Sequence, residues 1–227
     1  MTLLKLNKKI IKCRNCNRLV KFREKIAKEK RRQYIDQNYW GKPITGFGDP
    51  NAKLLMIGLA PAAHGGNRTG RVFTGDKSAD FLFKCLFKAG FANQPSSVHR
   101  NDGLQLYNLY LTTALKCVPP EDKPSAIELK TCFNYFKKEI HLLTRTNTIV
   151  TLGKIAFDAC LNFYMQDYAI KRKDFVFKHA GEYLLPDNKL LIGSYHPSPR
   201  NVNTGRIDTK KMVALLKNVK KIVERKW

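Results

Sequence analysis

Nothing in this 227-residue chain is apolar for long enough to cross a membrane. The longest apolar stretch, Leu54 to Ala63, is interrupted by Gly58 and Pro61 and falls far short of the roughly 20 residues that a spanning helix needs. Residues 1–14 have lysines at 5, 8, 9 and 12 and no apolar core, so no secretory signal is expected. Internal repeats and Ser/Gly linkers are absent as well. Acidic residues are scarce: 18 Asp and Glu stand against 42 Lys and Arg, for a formal charge of +24. An apolar fraction of 43% is too high for intrinsic disorder and too evenly spread for a low-complexity or collagen-like chain. These absences leave a soluble, intracellular (cytoplasmic) protein with no membrane role. The expectation is a single domain over residues 1–227, a monomer, with a polyanion as partner.

The charge is concentrated at the two ends. Residues 1–33 hold 13 basic and 2 acidic side chains, residues 200–227 hold 9 and 2, and the long middle is nearly balanced. A basic run at one end is commonly a solvated helix face. Two such runs on one compact domain point to a phosphate-backbone surface, because each neutralised phosphate releases condensed counterions. Nucleic acid is the favoured partner.

Along the chain, Leu19, Phe22 and Ile26 follow helical spacing within a basic stretch, predicting an amphipathic helix over 18–36 inside a helical N-terminal segment, 1–45. Strands are predicted at 53–60, 106–115, 148–152 and 190–195. Helices are predicted after Ser78, after a Ser125/Glu128 capping box, after Gly153, and around Met212 to Val223. Strands alternating with helices give an α/β protein: a three-layer α/β/α sandwich with a central four-stranded parallel sheet. In such sheets sites gather at the carboxyl ends of strands, where the loops 60–78 and 196–206 fall.

Of the six cysteines, Cys13 and Cys16 form a C-x-x-C pair, and Cys117 and Cys132 lie far downstream. Without a secretory signal, metal or cluster ligation is a better reading than disulfides. Four thiolates suit either a structural Zn2+ or a 4Fe-4S cluster, and spacing alone does not choose. Cys85 and Cys160 lie on apolar helix faces and read as core.

The two loops read GLAPAAHGGNRTGRVFTGDKS from Gly58 and HPSPRNVNTGR from His196. Together with the four cysteines, in this order from Cys13 to Arg206, they resemble the family 5 (type b) iron–sulfur uracil-DNA glycosylases. The resemblance implies a uracil-DNA-glycosylase-like fold and a 4Fe-4S cluster on Cys13, Cys16, Cys117 and Cys132. It also implies DNA containing uracil as substrate, cleaved at the base–sugar bond to leave an abasic site. Ala60, where neighbouring families often carry an acidic or amide residue, is characteristic of this branch and shifts the chemistry to Asp76.

The residue chemistry is consistent with that activity. Breaking an N-glycosidic bond puts positive charge on the sugar and negative charge on the departing base, which must first be flipped into a pocket. Phe73 is suited to stack on a flipped pyrimidine; the bland alternative is a core aromatic. His196 is placed to donate to the uracil anion, or is a structural histidine. Asp76 is the expected catalytic carboxylate, although an Asp before a helix is also a common N-cap. Gly58, Ala60, Gly66 and Asn67 are expected around the base, with His64 either there or packed in the loop. Asp122 occupies a slot where the family carries an amide; a carboxylate accepts from uracil N3–H but does not donate to O4, which opens the pocket to other deaminated bases such as hypoxanthine. Arg68, Ser198, Arg200, Asn201 and Arg206 are expected on DNA. No lysine stands out as a Schiff-base nucleophile, so a monofunctional hydrolase is expected. The alternatives are a family 4-like strict uracil enzyme and a non-catalytic iron–sulfur or zinc nucleic-acid binder.

Overall fold

The computed structural model describes residues 1–225. An N-terminal arm holds α1 (Leu3–Ile11) and α2 (Asn17–Glu29). It is followed by β1 (Phe47–Gly48), β2 (Leu54–Gly58), α3 (Gly66–Thr69), α4 (Lys77–Lys88), β3 (Leu109–Thr113) and α5 (Ala126–Leu142). The second half runs β4 (Thr148–Leu152), α6 (Lys154–Asp167), β5 (Glu182–Leu184), β6 (Leu190–Ser194), α7 (Pro199–Asn203) and α8 (Thr209–Glu224).

The strands lie in the order β1-β3-β2-β4-β6-β5. β3, β2, β4 and β6 are parallel, with Leu54 beside both Leu109 and Thr148, and Thr148 beside Leu190. The expected four-stranded parallel sheet is thus the centre of a six-stranded one. The additions are short antiparallel edge strands, β1 on β3 and β5 on β6, with too few residues to show an alternating pattern.

Side chains of the central strands alternate between two cores, as the pleat requires. Leu54, Met56, Leu111, Val150 and Ile192 face α4 and α8. Leu55, Ile57, Ile149 and Leu191 face Phe136 and Ile140 of α5 and Phe157, Leu161 and Tyr164 of α6. Helix starts follow local chemistry: the Ser125/Glu128 capping box opens α5, and Asp208 caps α8 by accepting from the Lys211 amide. The helix expected over 18–36 stops at Glu29; Lys30 adopts a positive φ of 55°, which an α-helix does not tolerate. α1 was not expected as a separate element. Its buried Leu6 and Ile10 show why it forms, packing beside α5.

One buried polar cluster crosses the second core. Lys116 Nζ lies 2.5 Å from Glu139 Oε2, and the Thr112 hydroxyl, 2.6 Å from each, donates to the carboxylate. Both charged groups are shut off from solvent, so each depends on the other for its solvation.

Candidate active site

Parallel pairing of β2, β4 and β6 brings their carboxyl ends together, and a cavity of about 290 Å³ opens there. Leu59 to Ala62 after β2, Val72, Phe73, Asp76 and Ser78 before and within α4, Asp122 after β3, and His196 and Ser198 after β6 line it. Asp76, His196, Phe73, Ala60, Asp122 and Ser198, six of the residues singled out above, therefore line one cavity. A larger groove of about 470 Å³ between α5 and α6 contains Leu129, Phe133 and Ile155 but none of these. Its carboxylate, Asp158, is engaged by Lys154 and Arg172.

Asp76 is an N-cap, as its sequence context offered, and it also lines the cavity. Its Oδ1 accepts from the Ala79 amide at 3.0 Å, capping α4, while the carboxylate faces the cavity. Burial pushes its pKa above the ordinary 3.8, against the lowering pull of the Ala79 and Ser78 amides. Gly65 lies so close that any β-carbon there would overlap the carboxylate, so the glycine loop presses directly on Asp76. His196 reaches the cavity from the end of β6. Burial alone pushes its pKa down to about 4, leaving it neutral near physiological pH, with no charged or hydrogen-bonding neighbour contributing. Asn201 Nδ2 donates to the His196 carbonyl at 2.9 Å and so fixes the loop beneath the ring.

Phe73 holds a φ of +47°, a costly conformation for an aromatic residue. The tip of its ring lies against Gly58, where a β-carbon would come within 2.5 Å of Cζ. The conformation is held from behind by Arg71. That buried guanidinium donates to the Thr74 hydroxyl (2.9 Å), the Arg100 carbonyl (3.2 Å), the Ser97 hydroxyl (2.8 Å) and Asp102 Oδ2 (2.7 Å). Neither Arg71 nor Asp102 was singled out from sequence, because only the fold brings together two residues 31 positions apart.

Several expected contacts are committed elsewhere. Asn67 is buried and donates to the Arg23 carbonyl of α2, so it ties down the N-terminal arm rather than facing a base. Arg68, expected on DNA, is buried as well. It donates to His64 O, Gln37 Oε1 and Gly75 O, and its guanidinium lies 3.8 Å from the Tyr34 ring centre. Gly66 starts α3 against Pro61. His64 lies outside the cavity lining and its Nδ1 meets the Tyr39 hydroxyl at 3.0 Å. Ser198 caps α7, and Arg206 sits over the Tyr195 ring at 5.7 Å while staying exposed. Arg200 is exposed with no ion-pair partner among the described residues. Asp122, exposed at the lip, has a φ of +56° in a turn clamped by Arg18, which donates to Lys123 O and pairs with Glu128 at 2.7 Å.

Cys13, Cys16, Cys117 and Cys132 line one narrow pocket beneath this lip, walled by Leu19, Val20, Leu115 and Tyr135. Among the described residues, no three His, Cys, Asp or Glu groups converge as a single metal ion requires. Burial pushes the Cys117 and Cys132 thiols up to about 11 and about 12. The buried Arg23 guanidinium points an N–H at Cys117 Sγ (3.5 Å) and leaves its Nε without a partner. Cys85 and Cys160 are core residues, as expected.

Residues 45–220 match the family model of the uracil DNA glycosylase superfamily. Similar proteins include a type-5 uracil-DNA glycosylase from Thermus thermophilus, 41% identical over 92% of this chain and 93% of that protein. Another from Pyrobaculum aerophilum is 42% identical over 92% and 88% respectively. A type-4 uracil-DNA glycosylase from Archaeoglobus fulgidus is more distant, 24% identical over 68% of this chain and 70% of that protein.

Proposed function

This chain belongs to the uracil-DNA glycosylase superfamily, in its type-5 branch, and on that basis we propose that it is a DNA-repair hydrolase that removes uracil from DNA and leaves an abasic site. The observation that carries the reading is the meeting of Asp76, His196 and Phe73 in one cavity at the carboxyl ends of the parallel strands. A base flipped from the duplex enters between Phe73, which stacks on its face, and the His196 wall. As the N1–C1′ bond breaks, its electron pair moves onto uracil, and the neutral imidazole donates a hydrogen bond to the developing anion. His196 serves as an electrophile rather than a general acid, since a pKa near 4 leaves little imidazolium. Asp76, ionised above its raised pKa, stabilises the cationic sugar and orients the water that bonds to C1′; the released proton passes to the carboxylate or to solvent.

Asp122 at the lip accepts the N3–H of uracil and equally the N1–H of hypoxanthine, so a second deaminated base enters the same pocket. Arg200 and the exposed cations of α2 hold phosphates at the mouth. The enzyme acts as a monomer.

The thiol set also fits the family's 4Fe-4S cluster. Four soft donors line one pocket, and Arg23, buried with an unpartnered Nε, supplies positive charge suited to an anionic cluster. Cys13, Cys16, Cys117 and Cys132 would hold the cluster, a staple that would tie together the N-terminal arm, the segment after β3, and α5. Leu115 and Ala60 pack beside these cysteines, so the staple braces the loop that carries the base pocket.

The test is base release from oligonucleotides carrying uracil, hypoxanthine or no lesion, read as strand breaks after alkali. Asp76→Ala is expected to retain DNA binding and lose base release by at least about a hundredfold, the lower range for a positioned acid–base group. Full activity in that variant removes Asp76 from the mechanism. Lesion binding without breaks by the intact wild-type protein converts the chain into a non-catalytic binder.

A further inference from the structure

The two basic ends of the chain, expected to form one phosphate surface, do so only in part: α2 and residues 200–211 lie near the mouth, whereas the second half of α8 runs toward the opposite pole of the sheet. α2 crosses the mouth, since its Arg18 reaches the Lys123 carbonyl next to Asp122 and its Arg23 carbonyl receives Asn67. α8 begins near the mouth, where Lys211 Nζ donates to Gly205 O just past α7. Its last turns reach the other pole, where Lys220 donates to the carbonyl of Gly90, which follows the far end of α4. Asn108, in the same groove as Lys220, accepts from the Lys53 amide immediately before β2. The sixteen residues of α8, at about 1.5 Å each, span roughly 24 Å. That is more than twice the Debye length of about 8 Å in physiological salt, so the two basic regions act independently.

Lys53 and Arg145 stand just before β2 and β4, Lys88 ends α4, and Lys221 and Arg225 close α8, with Lys217 one turn before Lys221 on the same helix. All but Lys53 are exposed, and among the described residues none of the six pairs with a carboxylate. Of the nearby acidic groups, Glu224 pairs with Lys220 at 3.8 Å and Asp187 with Lys189, while Glu182 accepts only from the Asn218 amide and Asp49 only from the Asn51 amide, leaving two carboxylates without a cation against these six basic groups. We propose that this pole is a second binding surface for the phosphate backbone of duplex DNA, so that one molecule holds two DNA segments at once. A duplex seated at the mouth does not reach it, and the partner is therefore a second segment. The inference rests on the proposed function only in taking DNA as the polyanion. Its consequence is a search in which the enzyme crosses between segments without releasing the first.

The experiment uses the full chain with an uncut, lesion-free duplex on beads and a second, labelled duplex in solution. Wild-type protein is expected to capture the labelled duplex. Lys217→Glu/Lys221→Glu is expected to lose capture by about tenfold, and to flatten the slope of log affinity against log salt for the second duplex by roughly 1.8, two phosphates' worth. Lys217→Gln/Lys221→Gln gives a smaller loss in the same direction and guards against a misfolded double reversal. In all of these, uracil release from a short duplex stays at the wild-type rate, whereas Lys21→Glu/Lys28→Glu at the mouth slows it. Capture by the reversal variant equal to wild type, or no capture by wild type at low salt, overturns the proposal. Capture by a wild-type protein that releases no uracil overturns the proposed function and leaves the second surface standing.

Discussion

Replacing Asp102 with alanine strips the buried Arg71 guanidinium of its carboxylate, and the structure sets the size of the effect. The pair is closed, at 2.7 Å with both side chains under 10% exposed. Asp102 also accepts from the amides of Val98 (2.8 Å) and Leu104 (3.1 Å). Burial alone pushes its pKa up, but Arg71 and these amides outweigh it and hold the carboxyl at about 2. The folded value lies below the unfolded one, so the stabilisation is complete above about pH 4 and is lost as the pH falls towards 2. Removing one member of a buried pair typically costs about 3–5 kcal/mol. Arg71 keeps Thr74, Ser97 and the Arg100 carbonyl, so the expected loss is at the low end, about 3 kcal/mol. For a chain of this size that lowers Tm by roughly 6–12 °C. The strain at Phe73, of order 1–3 kcal/mol, then has less to hold it in place, and its ring is expected to leave the cavity for part of the time. Single-turnover base release is expected to fall about tenfold with little change in the affinity for undamaged DNA. Thermal melts at pH 7 and at pH 3, with alkali-cleavage kinetics, check both parts. A Tm within about 2 °C of wild type with an unchanged single-turnover rate refutes the claim that this pair holds Phe73 in its strained conformation.

Glu139→Ala leaves Lys116 charged and buried, and a loss of about 3–5 kcal/mol is expected; a melt superposing on wild type would contradict the pairing. The pH profile of single-turnover release should show an acidic limb above the ordinary Asp value of 3.8, owing to Asp76, and none near 6.5 from His196. Release falls as Asp76 protonates; a limb near 6.5 that vanishes in His196→Gln would refute the neutral electrophile. Cys16→Ala should lower bound iron and sulfide and the melting temperature together; an iron-loaded variant of wild-type stability sinks the staple.

Legibility in the sequence followed interaction range. The capping box at Ser125, the cap at Asp76 and the central strands depend on neighbours within a few residues or on a continuous apolar run, and they appear where the pattern puts them. So do the two chemical loops, because strand–loop–helix order alone delivers them to one end of a parallel sheet. The edge strands are two and three residues long and carry no alternation. Arg68 and Asn67 look like free polar groups in a glycine-rich loop. The tight turn of α3 points both inward, onto Tyr34 and α2, and nothing in the local sequence distinguishes an inward arginine from an outward one.

That inward turn changes how the site is built. A glycine-rich loop beside an anionic substrate suggests that its polar side chains bind the ligand, yet here they bind the N-terminal arm. Arg68 holds the carbonyl of His64, next to Gly65, and that of Gly75, next to Asp76, and Gly65 abuts Asp76. The arm is tied in turn to the cysteine pocket through Arg23 and to the Asp122 turn through Arg18. In the proposed mechanism the basic arm therefore links DNA contact at the mouth to the position of Asp76. A defect in the staple is expected to appear first as a slower chemical step, before DNA affinity is lost.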